Sequence, residues 1–230
     1  MKNLAIIPAR SGSKRLKNKN IKDLRDKPLL AYSVIAAIDS GVFDRIMVST
    51  DSEKYAAIAR EYGAEVPFLR QEENSSDMAS TWDLVKEVLD GYRSLEESFA
   101  SVCVLQPTSP LRTAEDIRQG YELFDRMGAN AVVSVCEMEH SPLYSNTLQE
   151  DCRMDGFISG EIASTPSQLL PVYYRINGAL YILKESYLWE MESPYDQGCY
   201  AYKMSSASSV DIDTEYDFML AEYILSKRLT

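Results

Sequence analysis

The sequence has little of what several common catalytic and metal sites require. Its 230 residues include one histidine, His140, and four cysteines that are far apart, with no CxxC pair. Metal–thiolate clusters need closely spaced ligands, so we interpret the cysteines as reduced thiols of a cytoplasmic protein. A Ser/His/Asp or Cys/His site would depend on His140, which lies near Pro142 in an irregular stretch. We interpret His140 as a structural or surface residue.

Basic residues and long apolar runs are also scarce. The chain carries 24 Lys and Arg against 35 Asp and Glu, a formal net charge of −11, and an acidic chain repels nucleic-acid backbones. The longest apolar runs are of strand length, and the amino-terminal segment has no small-residue cleavage site. We therefore expect no nucleic-acid partner, no membrane span and no signal peptide. The length fits a single domain over residues 1–230.

Strand-like apolar runs alternate with helix-like segments over the first part of the chain. Strands are predicted at 3–9, 45–50, 65–70, 101–106 and 131–136, with helices between them. This alternation predicts an α/β fold with a doubly wound, mostly parallel sheet. Asp51 and Thr113 stand where helix caps belong. Strand character returns at 178–183 and 200–204, and Asp213 is the expected cap of a last helix.

Between about 138 and 175 the alternation stops. Turn-forming pairs such as Ser141-Pro142, Asp155-Gly156 and Thr165-Pro166 follow one another. The stretch is too short to bury a core of its own, so we predict an excursion inserted into the single domain rather than a second domain.

Positive charge is concentrated in residues 10–27, directly after the first predicted strand, where eight residues are basic and two are acidic. In doubly wound sheets, ligands bind beyond the carboxyl ends of the strands, where the segments after Arg70 and Gln106 should also lie. The loop is neither a Walker A nor a GxGxxG motif, since Gly12 is its only glycine. Its small residues let N–H groups approach an anion, and its cations suit phosphate oxygens. This setting favours a phosphate site over a merely solvated loop.

Asp211 and Asp213 form a second candidate site. Two residues apart in an extended segment, they face the same side and could reach one Mg²⁺ ion, which takes one or two carboxylates plus substrate phosphates. The alternative from spacing alone is that Asp213 caps the helix and Asp211 is solvated. Arg70 either binds phosphate or pairs with a surface acid, and Gln106 is a candidate selector of polar substrate groups.

Four segments together, IIPARSGSKRLKNKNI, LQPTSPLR, RINGALYI and DIDTE, resemble the acylneuraminate cytidylyltransferase family, the CMP-sialic acid synthetases. They occur in that family's order and the resemblance runs essentially end to end. The first segment is also similar to CMP-Kdo synthetases, whereas the second and third are nearer to the sialic, legionaminic and pseudaminic acid branch. The resemblance implies a nucleotide-diphospho-sugar-transferase-like fold and a homodimer in which the excursion crosses to the partner subunit. It also implies CTP and a nine-carbon 2-keto sugar acid as substrates, with Mg²⁺ as cofactor.

The same resemblance implies roles for individual residues. It places Arg10, Lys19, Asn20, Arg70 and Thr81 on nucleotide-contacting positions, Gln106 on a sugar-contacting position, and Asp211 and Asp213 on the metal ligands. Further candidates are Ala9, Ser13 and Lys14 for nucleotide binding and Arg175 and Asn177 for sugar binding. The candidate catalytic residues are Arg10, Lys19 and Asp211. The proton acceptor is left open between Asp211 and a metal-bound water.

The sequence departs from the family at two positions. An Arg common in sialic acid enzymes before the NG motif is replaced here by Ser167, and a Lys found in some members is replaced by Tyr144. Either Arg175 substitutes, or the sugar differs from plain sialic acid. Two other functions stay open: a glycosyltransferase of similar fold that uses a ready-made nucleotide sugar, and a CTP-binding regulatory protein without turnover.

Overall fold

The computed structural model describes residues 2–13, 15–71, 73–75 and 80–228. The strands are β1 (Asn3–Pro8), β2 (Asp23–Leu24), β3 (Lys27–Pro28), β4 (Arg45–Ser49), β5 (Ser101–Val104), β6 (Ala131–Glu137), β7 (Tyr174–Lys184) and β8 (Cys199–Met204). The helices are α1 (Leu29–Ser40), α2 (Glu53–Glu61), α3 (Thr81–Ser94), α4 (Ala114–Met127), α5 (Gly160–Ser164), α6 (Glu185–Glu190) and α7 (Glu215–Arg228).

Six strands form one central sheet in the order β4-β1-β5-β7-β6-β8, and β2 pairs with β3 in a small hairpin. Strand β1 is parallel to β4 and β5, and β6 is parallel to β8, whereas β7 runs antiparallel to both of its neighbours. Side chains of β1 alternate between two cores: Ala5 and Ile7 pack with residues of α1, α2 and α4, and Leu4 and Ile6 pack with residues of α3. Helices therefore cover both faces, and the predicted α/β fold with a mostly parallel sheet is confirmed.

One predicted strand was wrong. Over 65–70 the chain makes a single bridge, Glu65 with Met47, and no strand. Pro67 has no N–H to offer a ladder, which is consistent with the pairing stopping there. Strand β7 is also longer than the predicted 178–183, and its antiparallel direction leaves no trace in the pattern of apolar residues.

The predicted helix caps fall into two groups. Thr113 and Asp116 form a complete capping box at α4, as expected. At α2 the cap position is Ser52 rather than Asp51, whose carboxylate binds elsewhere. At α7 the box consists of Thr214 and Asp217: the Thr214 N–H donates to Asp217 Oδ2 at 2.7 Å and the Asp217 N–H donates to Thr214 Oγ1 at 3.3 Å, so Asp213 is not the cap.

The stretch between β6 and β7 contains short helices and turns, among them α5. Several of its large apolar side chains are more than half exposed: Leu148, Met154, Leu169 and Val172. Its assignment as an excursion of a single domain stays a prediction. None of the helices in the described ranges is long and apolar enough to cross a bilayer.

Candidate functional site

The basic loop leaves the carboxyl end of β1 and is fixed there by short hydrogen bonds. The backbone N–H of buried Ala9 donates to the carbonyl of Ser49 at 2.9 Å. The Asp51 carboxylate accepts from the backbone N–H and the hydroxyl of Ser11, at 2.7 and 2.9 Å. Asn20, 5% exposed, donates from Nδ2 to the carbonyl of Arg10 at 3.1 Å. The loop is thus held at both ends. Asp51 anchors it through Ser11, although the position of Asp51 just before α2 predicts a helix cap.

Lys19 joins the amino-terminal loop to the carboxyl-terminal carboxylates. Its Nζ donates to the carbonyl of Ile212 at 2.6 Å and to Oδ1 of Asp213 at 3.1 Å. The other oxygen of Asp213, Oδ2, accepts from Arg15 at 3.0 Å. The Lys19 side chain is 13% exposed and the Asp213 side chain 49%. Two regions that are almost two hundred residues apart in sequence therefore meet in the folded chain.

Asp211 lies beside the loop that follows β5. The backbone N–H of Ile212 donates to the carbonyl of Thr108 at 2.8 Å, which pins the segment to that loop. The Asp211 side chain reaches solvent, but the protein atoms packed around its carboxylate partly desolvate it and so raise the pKa of Asp211. The hydrogen bond with Thr108 and the charge of Lys19 lower the pKa and so oppose this shift, whereas the charge of Asp213 raises the pKa further.

The two carboxylates have the chemistry of a magnesium site. No group of three or more His, Cys, Asp and Glu in the described residues could hold a metal. Mg²⁺, however, is usually bound through one or two carboxylates, with substrate phosphates and water completing its shell. Asp211 and Asp213 next to a cationic loop fit that pattern, whereas they would not suit a zinc site.

Arg70 lies against the end of β4, next to the basic loop. It is 9% exposed, and it donates from Nε to the Ser49 hydroxyl at 3.1 Å and from Nη2 to the Ser49 carbonyl at 2.6 Å. Burial lowers the pKa of Arg70 to about 10, opposed by the charges of Asp51 and Glu87. The guanidinium is therefore still charged at neutral pH and lies near Arg10, which lowers its pKa further.

Three other predicted nucleotide positions have different outcomes. Thr81 is the first residue of α3 and is half-buried, and Ser80 is the helix cap, accepting from Trp82 N at 3.1 Å. Ser13 is half-buried in the basic loop. Lys14 lies outside the described residues.

The three predicted sugar positions lie around β7. Gln106 follows β5, and its Oε1 lies 2.5 Å from where a Cβ on Gly178 would stand, so the amide rests on that glycine. Arg175 is exposed and donates from Nη2 to the Ser209 carbonyl at 3.1 Å. Asn177 is 1% exposed, accepts from Ser134 Oγ at 2.5 Å and donates to Ser209 Oγ at 2.9 Å. The Asn177 amide is thus committed to bonds inside the fold, and its contact with a sugar stays a prediction.

The two positions of departure, Tyr144 and Ser167, line one hollow of about 400 Å³ together with His140. The hollow lies in the stretch between β6 and β7, so His140 belongs to that stretch rather than to the cluster around Lys19 and Asp213. The four cysteines are free.

Comparisons with known sequences give the family. A model described as Cytidylyltransferase matches residues 4–154. An N-acylneuraminate cytidylyltransferase of Streptococcus agalactiae is 39% identical over 222 residues, which are 95% of this chain and 52% of that protein. A CMP-N,N'-diacetyllegionaminic acid synthase of Legionella pneumophila is 36% identical over 229 residues, 98% of this chain and 97% of that protein. A pseudaminic acid cytidylyltransferase of Campylobacter jejuni is 33% identical, with 97% and 96% covered. The chain thus spans about half the length of the streptococcal relative and nearly all of the other two.

Solved structures agree on the fold. A CMP-2-keto-3-deoxy-manno-octonic acid synthetase complexed with CTP superimposes with a TM-score of 0.74 at 16% identity, covering 99% of this chain and 100% of that one. A 4-diphosphocytidyl-2C-methyl-D-erythritol synthase from Anaerococcus prevotii gives a TM-score of 0.67 at 13% identity, covering 98% of each chain. The sequence matches show that the chain belongs to the cytidylyltransferase family, among the N-acylneuraminate, legionaminic acid and pseudaminic acid enzymes.

Proposed function

We propose that the protein transfers CMP from CTP to a nine-carbon 2-keto sugar acid and releases pyrophosphate. The observation that carries this proposal is the contact of Lys19 with Asp213, because it unites a phosphate-binding loop with a carboxylate pair. A triphosphate needs cations along its length, and a metal–phosphate complex needs carboxylates next to them. The names of the relatives supply the class of acceptor.

In the proposed reaction, the anomeric hydroxyl of the sugar acid attacks the α-phosphorus of CTP. A new oxygen–phosphorus bond forms, the bond to the β-phosphate breaks, and the pyrophosphate departs in line. Arg10 and Lys19 would neutralise the charge that grows on the pyrophosphate, the main contribution a protein makes to such a transfer. Asp211 and Asp213 would hold Mg²⁺, which when bound polarises the α-phosphate.

The hydroxyl proton passes to Asp211 or to water. The raised pKa of Asp211 makes its carboxylate a better acceptor than an ordinary aspartate, because acceptor strength rises with pKa toward the working pH. Gln106 and Arg175 would then contact the sugar acid, since Gln106 rests on Gly178 of β7, and Arg175 of the same strand donates to the Ser209 carbonyl, close in sequence to Asp211.

We also propose that the protein works as a homodimer, joined through the stretch between β6 and β7. The exposed Leu148, Met154, Leu169 and Val172 would be covered by the partner. The free cysteines support a cytoplasmic location.

The test follows pyrophosphate release from CTP with Mg²⁺ and a panel of sialic, legionaminic, pseudaminic and Kdo acids. We expect release with at least one nine-carbon acid, and the preferred acid identifies the substrate. Release with Kdo alone would make the protein a CMP-Kdo synthetase. CTP binding without release from any acid would favour the regulatory protein, and turnover only of a ready-made nucleotide sugar would favour the glycosyltransferase.

A further inference from the structure

A buried arginine, Arg112, lies behind the proposed sugar-binding residue. It is 3% exposed, and its two terminal nitrogens donate to the Ala179 carbonyl at 2.8 Å, the Gln106 carbonyl at 3.3 Å and the Ser33 hydroxyl at 2.6 Å. Burial lowers the pKa of Arg112 to about 10, so the group remains a cation at neutral pH. Its Nε has no hydrogen-bond partner among the described residues.

A buried charge held mainly by neutral groups is expensive to maintain, so its location calls for a reason. The three acceptors come from the loop after β5, from β7 and from α1. The guanidinium therefore ties the loop that begins at Gln106 to the strand that carries Gly178 and Ala179.

The Gln106 carbonyl is held by three hydrogen bonds. It accepts from Ser33 Oγ at 3.3 Å, from Arg112 at 3.3 Å and from the backbone N–H of Ser109 at 3.2 Å. With its backbone fixed in this way, the Gln106 side chain lies over Gly178, at a point where any Cβ would be 2.5 Å from Oε1. The backbone of Gly178 has φ +74°, which other residues rarely adopt.

We propose that Arg112 and Ser33 are positioning residues that fix the Gln106 amide for the sugar acid and so set sugar affinity and selectivity without touching either substrate. This inference rests on the proposed function, in which Gln106 contacts the sugar. The proposed nucleotide-binding residues Arg10 and Arg70 lie next to the ends of β1 and β4, whereas Gln106 follows β5 and rests on β7. Loss of either positioning residue should therefore affect the sugar acid and leave CTP largely unaffected.

The test uses Ser33→Ala, with Ser40→Ala as the matched control. Both are buried serines of α1, but the Ser40 hydroxyl bonds only locally, donating to the Ala37 carbonyl at 2.7 Å and accepting from the backbone N–H of Val42 at 3.3 Å. We expect Ser33→Ala to raise KM for the sugar acid about tenfold, the effect of about one misplaced hydrogen bond, and to change KM for CTP less than about twofold. Ser40→Ala should change neither KM. CTP binding by calorimetry in the absence of sugar should be equal in all three proteins.

Two further variants separate positioning from a general loss of packing. Gln106→Ala alone should raise KM for the sugar acid, and adding Ser33→Ala to it should have little further effect, because the group being positioned is gone. Arg112→Lys keeps the positive charge but loses the planar guanidinium whose two terminal nitrogens bind Gln106, Ala179 and Ser33. It should raise KM for the sugar acid more than Ser33→Ala does.

The outcomes are distinguishable. If the wild-type protein releases pyrophosphate but Ser33→Ala raises both KM values equally, or neither, the positioning role is overturned while the proposed function stands. Additive effects of Ser33→Ala and Gln106→Ala would also overturn it. If the wild type releases no pyrophosphate with any acid of the panel, the proposed function fails first.

Discussion

Replacing Lys19 by alanine is the most informative change in the proposed active site. In the structure Lys19 Nζ lies 2.6 Å from the Ile212 carbonyl and 3.1 Å from Asp213 Oδ1, in a side chain that is 13% exposed. In the proposed reaction, a cation at this position would meet the negative charge that grows as pyrophosphate leaves. Removing one such donor typically lowers kcat by about 10²–10³, or roughly 3–4 kcal/mol of transition-state stabilisation. We expect that loss in kcat, with a smaller change in KM for CTP.

The effect on stability should be much smaller than the effect on kcat. Asp213 is half exposed and keeps its bond to Arg15, so removing Lys19 should cost about 1 kcal/mol of unfolding free energy. That corresponds to a fall in Tm of about 2–4 °C for a domain of this size.

The assay is steady-state pyrophosphate release with the preferred sugar acid, alongside thermal unfolding. Lys17→Ala is the control, because Lys17 is exposed in the same loop and its substitution removes the same charge. It should keep kcat within about twofold of wild type. A wild-type kcat in Lys19→Ala, or an equal loss in both variants, would refute the catalytic role of Lys19.

Three further outcomes are expected. Arg15→Gln should tighten Mn²⁺ binding about threefold, measured by calorimetry without nucleotide, because it removes the positive charge that Arg15 places 3.0 Å from Asp213 Oδ2. Unchanged or weaker Mn²⁺ binding would contradict a metal role for Asp213. Asp211→Asn should abolish turnover yet raise Tm at neutral pH, because a raised pKa in the folded state means that ionised Asp211 destabilises the fold. This gain in Tm should shrink as pH falls from above the raised pKa toward the ordinary aspartate pKa. A lower Tm of Asp211→Asn at neutral pH would show that the carboxylate is stabilising. Thr113→Ala should cost about 1 kcal/mol by denaturant unfolding, because it removes the cap of α4, and no change would mean that the box is energetically silent.

The fold was predictable from sequence where strands are buried on both faces. Continuous apolar runs such as 3–9 and 131–136 are typical of strands covered by helices on each side, and both contain strands of the sheet. The stretch 65–70 looked similar but carries Pro67, and it makes only the bridge from Glu65. The direction of β7 could not be predicted, because apolar periodicity has no sense of direction.

The candidate site was predictable in composition but not in its internal contacts. The local excess of cations marked the loop, and the spacing of Asp211 and Asp213 marked the carboxylates. Contact between them depends on tertiary folding, since Lys19 and Asp213 are 194 residues apart. Asp51 was misassigned because a short acidic residue before a helix serves equally well as a cap or as a loop anchor. Arg112 ends the segment LQPTSPLR, but its burial could not be predicted, since an arginine in a polar turn is usually exposed.

The most direct measurement is a crystal structure of the protein with CTP and Mg²⁺. We expect the triphosphate to lie between the loop that carries Arg10 and Lys19 and the carboxylates of Asp211 and Asp213, which would hold the Mg²⁺ ion. A nucleotide bound elsewhere, or a triphosphate that contacts the loop while both carboxylates remain far from any metal, would contradict the proposed site.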